Sequence, residues 1–270
     1  MKTIVLFAII LLILGSCNSN DRTGNTETHR ELTPVIAYAV KNSYPHDTTS
    51  FTEGLLVHNG QLYESTGASP GLASTRSLFG VMDLQTGKIN KKAELDREKY
   101  FGEGIVFLGA RVYQLTYQTK VGFIYDTATF NKVGEFTIPS AEGWGMTTDG
   151  HSLIMSDGTS QLTWLDPATM QVTKTLSVSD NDGLIDKLNE LEYINGFIYA
   201  NVYTTAAIVK IDPATGKVVG QLDLFSLANE AVSLYSGSME MNGIAYDSTT
   251  RKAYITGKMW PKVYEIEFGL

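Results

Sequence analysis

The chain has 270 residues, one cysteine and a formal net charge of −8, from 21 Lys and Arg against 29 Asp and Glu. An acidic chain without a block of basic residues argues against nucleic acid as a partner, because binding phosphates requires clustered cations. One cysteine excludes an internal disulfide, and the length allows a single sizeable core.

Residues 1–17 have the pattern of an export signal. Lys2 precedes an apolar run at 4–14, which is shorter than the roughly 20 residues needed to cross a bilayer and has the length of a signal-peptide core. The run ends in Leu-Gly-Ser-Cys at 14–17, which resembles a bacterial lipobox. We therefore predict cleavage before Cys17 and attachment of lipid to Cys17. An ordinary signal peptide with an incidental cysteine is the alternative.

Residues 18–34 are polar and lack periodicity, which predicts a flexible tether. Residues 35–270 are then expected to form a single domain. No later segment is apolar enough over sufficient length to span a bilayer. The predicted location is the bacterial cell envelope, on the periplasmic side of a membrane, with contact to that membrane only through the lipid on Cys17.

Beyond the tether, short windows alternate apolar and polar residues between Gly, Asn and Asp, a pattern that predicts β-strands. A first strand is expected at 35–41. The pairs Asn59-Gly60 and Asn195-Gly196 each separate two such windows and predict tight hairpins. Helices are expected only near 180–188 and 226–235. Further strands are expected at 76–83, 88–95, 122–126, 132–138, 217–222 and 263–268.

One pattern occurs five times along the chain. The copies read FTEGL at 51–55, FGEGI at 101–105, GWGM at 143–146, LNEL at 188–191 and MNGI at 241–244. Their alignment places five residues in one column, at intervals of 41 to 53 residues: Glu53, Glu103, Trp144, Asn189 and Asn242. A repeat of this length, built of short strands and turns, is typical of a propeller blade.

The strand at 35–41 belongs to no copy, and the last copy ends after its third strand. The N-terminal strand is therefore expected to complete the last blade, which pairs two otherwise open edges. The predicted fold is an all-β, five-bladed propeller of four-stranded antiparallel blades, closed by the N-terminal strand. A β-sandwich is the structural alternative, but it leaves the repeat length unexplained.

A shared column in a closed ring places its side chains at one height around the axis. Glu103 lies between Gly102 and Gly104, and glycine allows a backbone or a ligand to come close. A second column follows three tyrosines by four residues and comprises Tyr117, Tyr203 and Lys258. With Phe101 and Trp144, these side chains predict a carboxylate in an aromatic pocket suited to a small ligand. A polar plug in the propeller axis is the alternative.

Other chemistry has little support in the sequence. The four histidines show no metal-ligand spacing. There is no Gly-x-Ser-x-Gly elbow and no phosphate-binding loop. We therefore expect neither a metal nor another cofactor.

Several longer stretches together resemble one family. They are FTEGL at 51–55, YESTG at 63–67, YFGEG at 100–104, GFIYD at 122–126, GWG at 143–145, SDGT at 156–159, LNELEYING at 188–196, NGIAY at 242–246 and TGKMWP at 256–261. The chain resembles the plant-type glutaminyl-peptide cyclotransferases, a family of five-bladed propellers also found in bacteria. The resemblance covers nearly all of the chain after the tether.

The resemblance implies an enzyme that converts the N-terminal glutamine of peptides and proteins into pyroglutamate and ammonia, without a metal. Glu103 matches the catalytic acid and base, and Asn189 and Lys258 match polar residues of the site. The aromatic pocket residues are matched by Phe51, Phe101 and Trp144. Tyr117 and Tyr203 stand where plant enzymes carry Trp, and Glu53 stands where they carry Gln. We expect a monomer.

Two other functions stay open from the residues alone. One is a non-catalytic propeller that binds a peptide or a glycan. The other is a lactone hydrolase with a metal held by the carboxylate and amide side chains of Glu53, Glu103, Asn189 and Asn242.

Overall fold

The structure is a computed structural model that describes residues 32–269. The predicted signal peptide, Cys17 and the tether as far as residue 31 lie outside the described residues. The description therefore begins at the last three residues of the predicted tether.

Residues 32–269 form five sheets, each with four antiparallel strands. The innermost strands of neighbouring sheets contact one another in a closed ring, so the fold is the predicted five-bladed propeller. From the axis outwards, the strands are β2 (Thr52–His58), β3 (Gln61–Thr66), β4 (Leu78–Met82) and β5 (Ile89–Glu94) in blade 1; β6 (Gly102–Leu108), β7 (Arg111–Thr116), β8 (Val121–Asp126) and β9 (Lys132–Thr137) in blade 2; β10 (Met146–Thr148), β11 (Leu153–Ser156), β12 (Gln161–Leu165) and β13 (Val172–Ser177) in blade 3; β14 (Leu188–Ile194), β15 (Phe197–Val202), β16 (Ala207–Ile211) and β17 (Val218–Asp223) in blade 4; and β18 (Met241–Asp247), β19 (Lys252–Gly257), β20 (Lys262–Phe268) and β1 (Tyr38–Pro45) in blade 5.

The N-terminal strand closes the ring as predicted, because β1 pairs antiparallel with β20. Its bounds are shifted from the expected 35–41, since the backbone N–H of Ile36 donates instead to the carbonyl oxygen of Gln221 in blade 4 (2.7 Å). After β1, the buried His46 places Nε2 3.0 Å from Oε1 of Glu64 in blade 1. The N-terminal segment thus ties together blades 4, 5 and 1.

One of the two expected helices forms. Helix α1 spans Phe225–Leu234 and connects blade 4 to blade 5, close to the expected 226–235. The helix expected at 180–188 is wrong, because this segment folds back on itself: the N–H of Asp180 donates to the carbonyl oxygen of Gly183, and the N–H of Ile185 donates to that of Val178 (both 3.0 Å). Gly183 also has φ of +137°, which is incompatible with an α-helix. Within the described part of the chain, no helix combines the length and apolarity needed to cross a membrane.

The hydrophobic core lies between adjacent blades. Leu55 and Met82 of blade 1, for example, pack with Ala245 and Val263 of blade 5. Both predicted hairpins form, and Asn59 and Gly60 have the two positive φ values that a type I′ turn requires (51° and 72°). This packing fixes the inner strands whose first residues surround one end of the axis.

Candidate functional site

Local irregularities in the inner strands position four of the five side chains in the aligned column. Glu53, Glu103, Asn189 and Asn242 are each the second residue of an inner strand. At each of them the pairing with the neighbouring strand slips, for example between Gly102 and Ile105. Such β-bulges bend the strand and redirect a side chain. Trp144 differs, because it lies in the connection two residues before β10.

Gly104 allows two neighbouring blades to approach closely beside Glu103. A Cβ atom at this position would lie 2.6 Å from the backbone nitrogen of Met146. The Gly104 N–H donates a hydrogen bond to the carbonyl oxygen of Trp144 at 2.8 Å. Of the two partners predicted for this glycine, a backbone or a ligand, the structure shows the backbone of blade 3.

All nine predicted catalytic and substrate-binding residues line one cavity of about 480 Å³ at the end of the axis where the inner strands begin. They are Phe51, Glu53, Phe101, Glu103, Tyr117, Trp144, Asn189, Tyr203 and Lys258. Asn242, the fifth member of the column, is fully buried and supports Glu53. The two sequence columns therefore meet in space, although their residues come from all five blades.

Two groups of aromatic rings form the walls of the cavity. The Phe101 ring lies edge-on to Phe51, with centroids 5.8 Å apart, and 5.9 Å from the ring of Tyr117. Opposite them, Trp144 and Tyr203 make an edge-to-face pair at 5.4 Å. The Lys258 ammonium lies between the two groups, 4.7 Å from the Phe51 centroid and 5.3 Å from that of Tyr203. Both distances suit a cation–π interaction.

Lys258 and Glu53 form a buried ion pair. The Nζ atom of Lys258 lies 2.7 Å from Oε1 of Glu53, and the two side chains are only 7% and 2% exposed. Nδ2 of Asn242 donates to the other carboxylate oxygen of Glu53 at 3.0 Å. Burial disfavours the charged form of Lys258, but Glu53 and Glu103 outweigh burial and raise the pKa of Lys258. This lysine is therefore a permanent cation beside the two carboxyl groups.

The carboxyl groups of Glu53 and Glu103 titrate together. Burial raises the pKa of Glu53 to about 7, although the Lys258 ammonium opposes the increase. Burial, and next the charge of Glu53 within hydrogen-bonding distance, raise the pKa of Glu103 well above its ordinary value. Two close carboxyl groups cannot easily ionise together. The pair therefore keeps a proton to higher pH than two isolated carboxyl groups would, and the Lys258 ammonium balances the negative charge that forms when the pair ionises.

These contacts do not fit the metal site of a lactone hydrolase. That hypothesis requires a cation among the side chains of Glu53, Glu103, Asn189 and Asn242. The Lys258 ammonium already occupies the place beside Glu53, and Asn242 turns its N–H₂ group towards that carboxylate. Over residues 32–269, no three His, Cys, Asp or Glu side chains are grouped as metal ligands.

The sequence model of the glutamine cyclotransferase family matches residues 8–268. The chain belongs to this family. It is 42% identical over 226 residues to the glutaminyl-peptide cyclotransferase of Arabidopsis thaliana, covering 83% of this chain and 69% of that protein. The fold also matches the crystal structure of Myxococcus xanthus glutaminyl cyclase with a TM-score of 0.76 and 30% identity, over 87% of this chain and 98% of the other. The family resemblance inferred from the sequence motifs is confirmed.

Two features of this glutamine cyclotransferase site were not predicted from its sequence. Glu142 accepts hydrogen bonds from Nε1 of Trp144 (2.9 Å) and from Nε2 of Gln118 (2.8 Å), and so fixes the orientation of the indole. No repeat marks Glu142, because it lies in a connection between blades. The second feature is Oδ1 of Asn189, which is buried without a hydrogen-bond partner. Asn189 itself lines the cavity, so a rotation of its side-chain amide would offer this unpaired acceptor to a donor group on a ligand.

Proposed function

We propose that this protein is a glutaminyl-peptide cyclotransferase that uses Glu103 as general base and then as general acid. The observation that carries this proposal is the buried carboxyl group of Glu103, which lies in an aromatic cavity and is coupled to Glu53 and Lys258. Membership of the glutamine cyclotransferase family and the names of the two relatives support the reaction. The substrates are peptides or proteins with N-terminal glutamine.

The aromatic walls favour the folded substrate that cyclisation needs. The α-amine of the glutamine must reach the γ-carbon of the same residue, so the reaction is intramolecular. The cavity has only to fix the rotations of one side chain, so its gain is smaller than the roughly 7–11 kcal/mol available when two separate reactants are brought together. Phe101, Tyr117 and Trp144 enclose a space in which the aliphatic stem of the glutamine packs in its bent conformation.

Glu103 exchanges protons with the substrate in two steps. A free α-ammonium has a pKa near 8, and its positive charge inside the cavity favours the ionised form of Glu103. The Glu103 carboxylate then takes a proton from the ammonium, and the amine nitrogen forms a bond to the γ-carbon. Glu103 next returns this proton to the departing NH₂ group and the original carbon–nitrogen bond breaks. The attacking nitrogen still carries one proton more than a lactam does, and the released ammonia takes it, so that pyroglutamate and ammonium result.

Lys258 and Asn189 distinguish the two ends of the glutamine carboxamide. The Lys258 ammonium suits the carbonyl oxygen, whose negative charge grows in the tetrahedral transition state. The unpaired Oδ1 of Asn189 suits an N–H of the same carboxamide. Together they would orient the γ-carbon towards the amine.

Ammonia release from peptides tests the proposed function. Purified protein should convert a peptide with N-terminal glutamine in the presence of excess chelator, and the product should have lost one ammonia by mass spectrometry. A peptide with an acetylated N-terminus is the matched control, because it lacks the nucleophile. No ammonia from any glutaminyl peptide would reject the proposal and favour a non-catalytic binding propeller. Release that stops with chelator would instead indicate a metal enzyme.

Replacing Glu53 with Gln tests the coupling of the two carboxyl groups. Since Glu53 raises the pKa of Glu103, the Glu53→Gln variant should lower the pKa of Glu103. We expect the acidic limb of the kcat/KM profile to move to lower pH, since Glu103 must be ionised to act as base. A raised KM with an unmoved limb would show instead that Glu53 binds the substrate ammonium, which the occupation of both its oxygens argues against.

We also propose that the protein is exported and held in the cell envelope by lipid on Cys17, as the Leu-Gly-Ser-Cys pattern at 14–17 predicts. Mass spectrometry of the mature N-terminus should find cleavage before Cys17 and lipid on that residue. A Cys17→Ser variant serves as the control that cannot accept lipid. Cleavage elsewhere, or an unmodified Cys17 in the mature protein, would reject the lipid anchor.

A further inference from the structure

The cavity is larger than the reacting glutamine requires. A cavity of about 150 Å³ is enough to hold a benzene molecule, whereas this one measures about 480 Å³. A glutamine side chain folded against Glu103 therefore leaves much of the space unfilled. The residues that follow glutamine in a peptide have to leave the cavity through this space.

The unfilled space extends over blades 1 and 2. Blades 3, 4 and 5 contribute only Trp144, Asn189, Tyr203 and Lys258 to the lining. All other lining residues come from blades 1 and 2 or from the connection between them. Outside the nine predicted site residues they are Ala68, Pro70, Arg97, Glu98, Lys99, Tyr100, Gln118 and Thr119.

Direct contacts hold this side of the cavity in place. A Cβ atom at Gly67 would lie 2.1 Å from the ring of Phe101, so the loop after β3 packs directly on the aromatic wall. Nη1 of Arg97 donates to the carbonyl oxygens of Ala73 (3.0 Å) and Thr75 (3.1 Å). Arg97 thereby joins this loop to the connection between the blades. We call this part of the cavity, lined by blades 1 and 2 and the connection between them, the groove. Because these contacts already fix its shape, the groove loses little conformational entropy when a ligand binds.

The cations of the groove are only loosely paired. Arg97 lies 3.8 Å from the carboxylate of Glu98, whose side chain is 85% exposed. Lys99 lies 3.6 Å from Asp96, and both side chains are largely exposed. Exposed pairs of this kind interact weakly, so Lys99 stays available to an anionic group. Nη1 of Arg97 is held by two backbone carbonyl oxygens, but these are neutral and leave the charge of Arg97 uncompensated. Glu98 is the one acidic residue among the described groove residues outside the catalytic centre.

We infer that Pro70, Arg97, Lys99 and Tyr100 form a subsite for the second and third residues of the peptide, and that this subsite favours an acidic side chain there. The inference rests on the proposed cyclotransferase activity. Pro70 and Tyr100 offer apolar surface to the peptide, and the two cations attract a carboxylate. The preferred substrates are then peptides in which Glu or Asp closely follows the N-terminal glutamine.

Three amidated tripeptides test the subsite: Gln-Ala-Glu, Gln-Ala-Gln and Gln-Ala-Lys. We expect kcat/KM to fall in that order, by about three- to tenfold from first to last at low ionic strength. The difference should shrink as salt is added, because salt screens exposed charges. Equal values for the three peptides, with ammonia still released, would overturn the subsite and leave the proposed function intact. No release from any of them would overturn both.

Variants that remove one charge from the groove test whether these side chains cause the preference for an acidic residue in the peptide. In Lys99→Gln and in Arg97→Gln, the ratio of kcat/KM for the Glu peptide to that for the Lys peptide should fall towards one. In Glu98→Gln the ratio should rise, because the removed charge has the opposite sign. Lys132→Gln is the matched control, since Lys132 lies on the outer strand β9 and pairs with Glu135. A ratio that responds to Lys132 as strongly as to Lys99 would show a general charge effect and overturn the subsite.

Discussion

The Glu103→Gln variant should lose about 10²–10⁴-fold in kcat, the usual contribution of general acid–base catalysis. Gln keeps the shape and much of the hydrogen bonding of Glu103 but cannot carry the proton from the substrate amine to the departing NH₂ group. The protein should stay folded, since the substitution removes a buried carboxyl group whose ionisation burial already disfavours. KM should change much less than kcat.

Steady-state ammonia release, with thermal melts of both proteins, measures this effect. Glu135→Gln is the matched control, because Glu135 lies in the same blade on the outer strand β9, about half exposed. Its kcat should equal that of the wild type. If well-folded Glu103→Gln protein turns over glutaminyl peptides at the wild-type rate, Glu103 is not the proton carrier.

The architecture was predictable because its signals are local or periodic. Asn59-Gly60 marks a hairpin in two residues, and the repeat reveals the number of blades without any knowledge of long-range contacts. The last copy of the repeat has only three strands, and this was enough to predict that the N-terminal strand closes the ring as the fourth. The helix expected at 180–188 failed for a local reason, because Gly183 and Lys187 have positive φ values (137° and 64°) and the backbone of this segment bonds back on itself, from Ile185 N–H to the Val178 carbonyl oxygen.

That the nine predicted residues would line one cavity was also predictable, but the pairing of their side chains was not. Alignment of the repeats placed Glu53 and Glu103 at one height, which the coupled titration of the two groups reflects. The ion pair between Glu53 and Lys258 joins residues 205 positions apart in the sequence. Such contacts depend on which rotamers meet across the axis, and a strand pattern carries no information about rotamers.

The Lys258→Met variant should lose about 10²–10³-fold in kcat, the usual effect of removing one oxyanion donor. Lys258 also lowers the pKa of both Glu53 and Glu103. Without it, both carboxyl groups should need a higher pH to ionise, and the acidic limb of kcat/KM should move to higher pH. This direction is opposite to that expected for Glu53→Gln. A variant that keeps the wild-type pH profile would refute the electrostatic role of Lys258.

The free energy of unfolding should also depend on pH because of the buried carboxyl group of Glu53. The pKa of Glu53 is about 7 in the folded protein and near 4.3 in an unfolded chain, so the folded state binds more protons between these values and stability falls as pH rises through them. In Lys258→Met the pKa of Glu53 in the folded protein should rise further, because Lys258 lowers it, so the pH range over which stability falls extends to higher pH. The variant should be little destabilised at about pH 5, where Glu53 is neutral, and lose about 3–5 kcal/mol at about pH 9, where an unpaired charge would be buried.

The double variant Lys258→Met with Glu53→Gln separates the charge effect from lost packing. It leaves neither a cation nor a carboxylate at the former ion pair, so its unfolding free energy in urea should recover most of the loss at high pH. A double-mutant cycle then gives the coupling between the two side chains. Activity should not recover, because the oxyanion donor is still missing. If the double variant is as unstable as Lys258→Met at high pH, lost packing rather than the unpaired Glu53 charge causes the destabilisation.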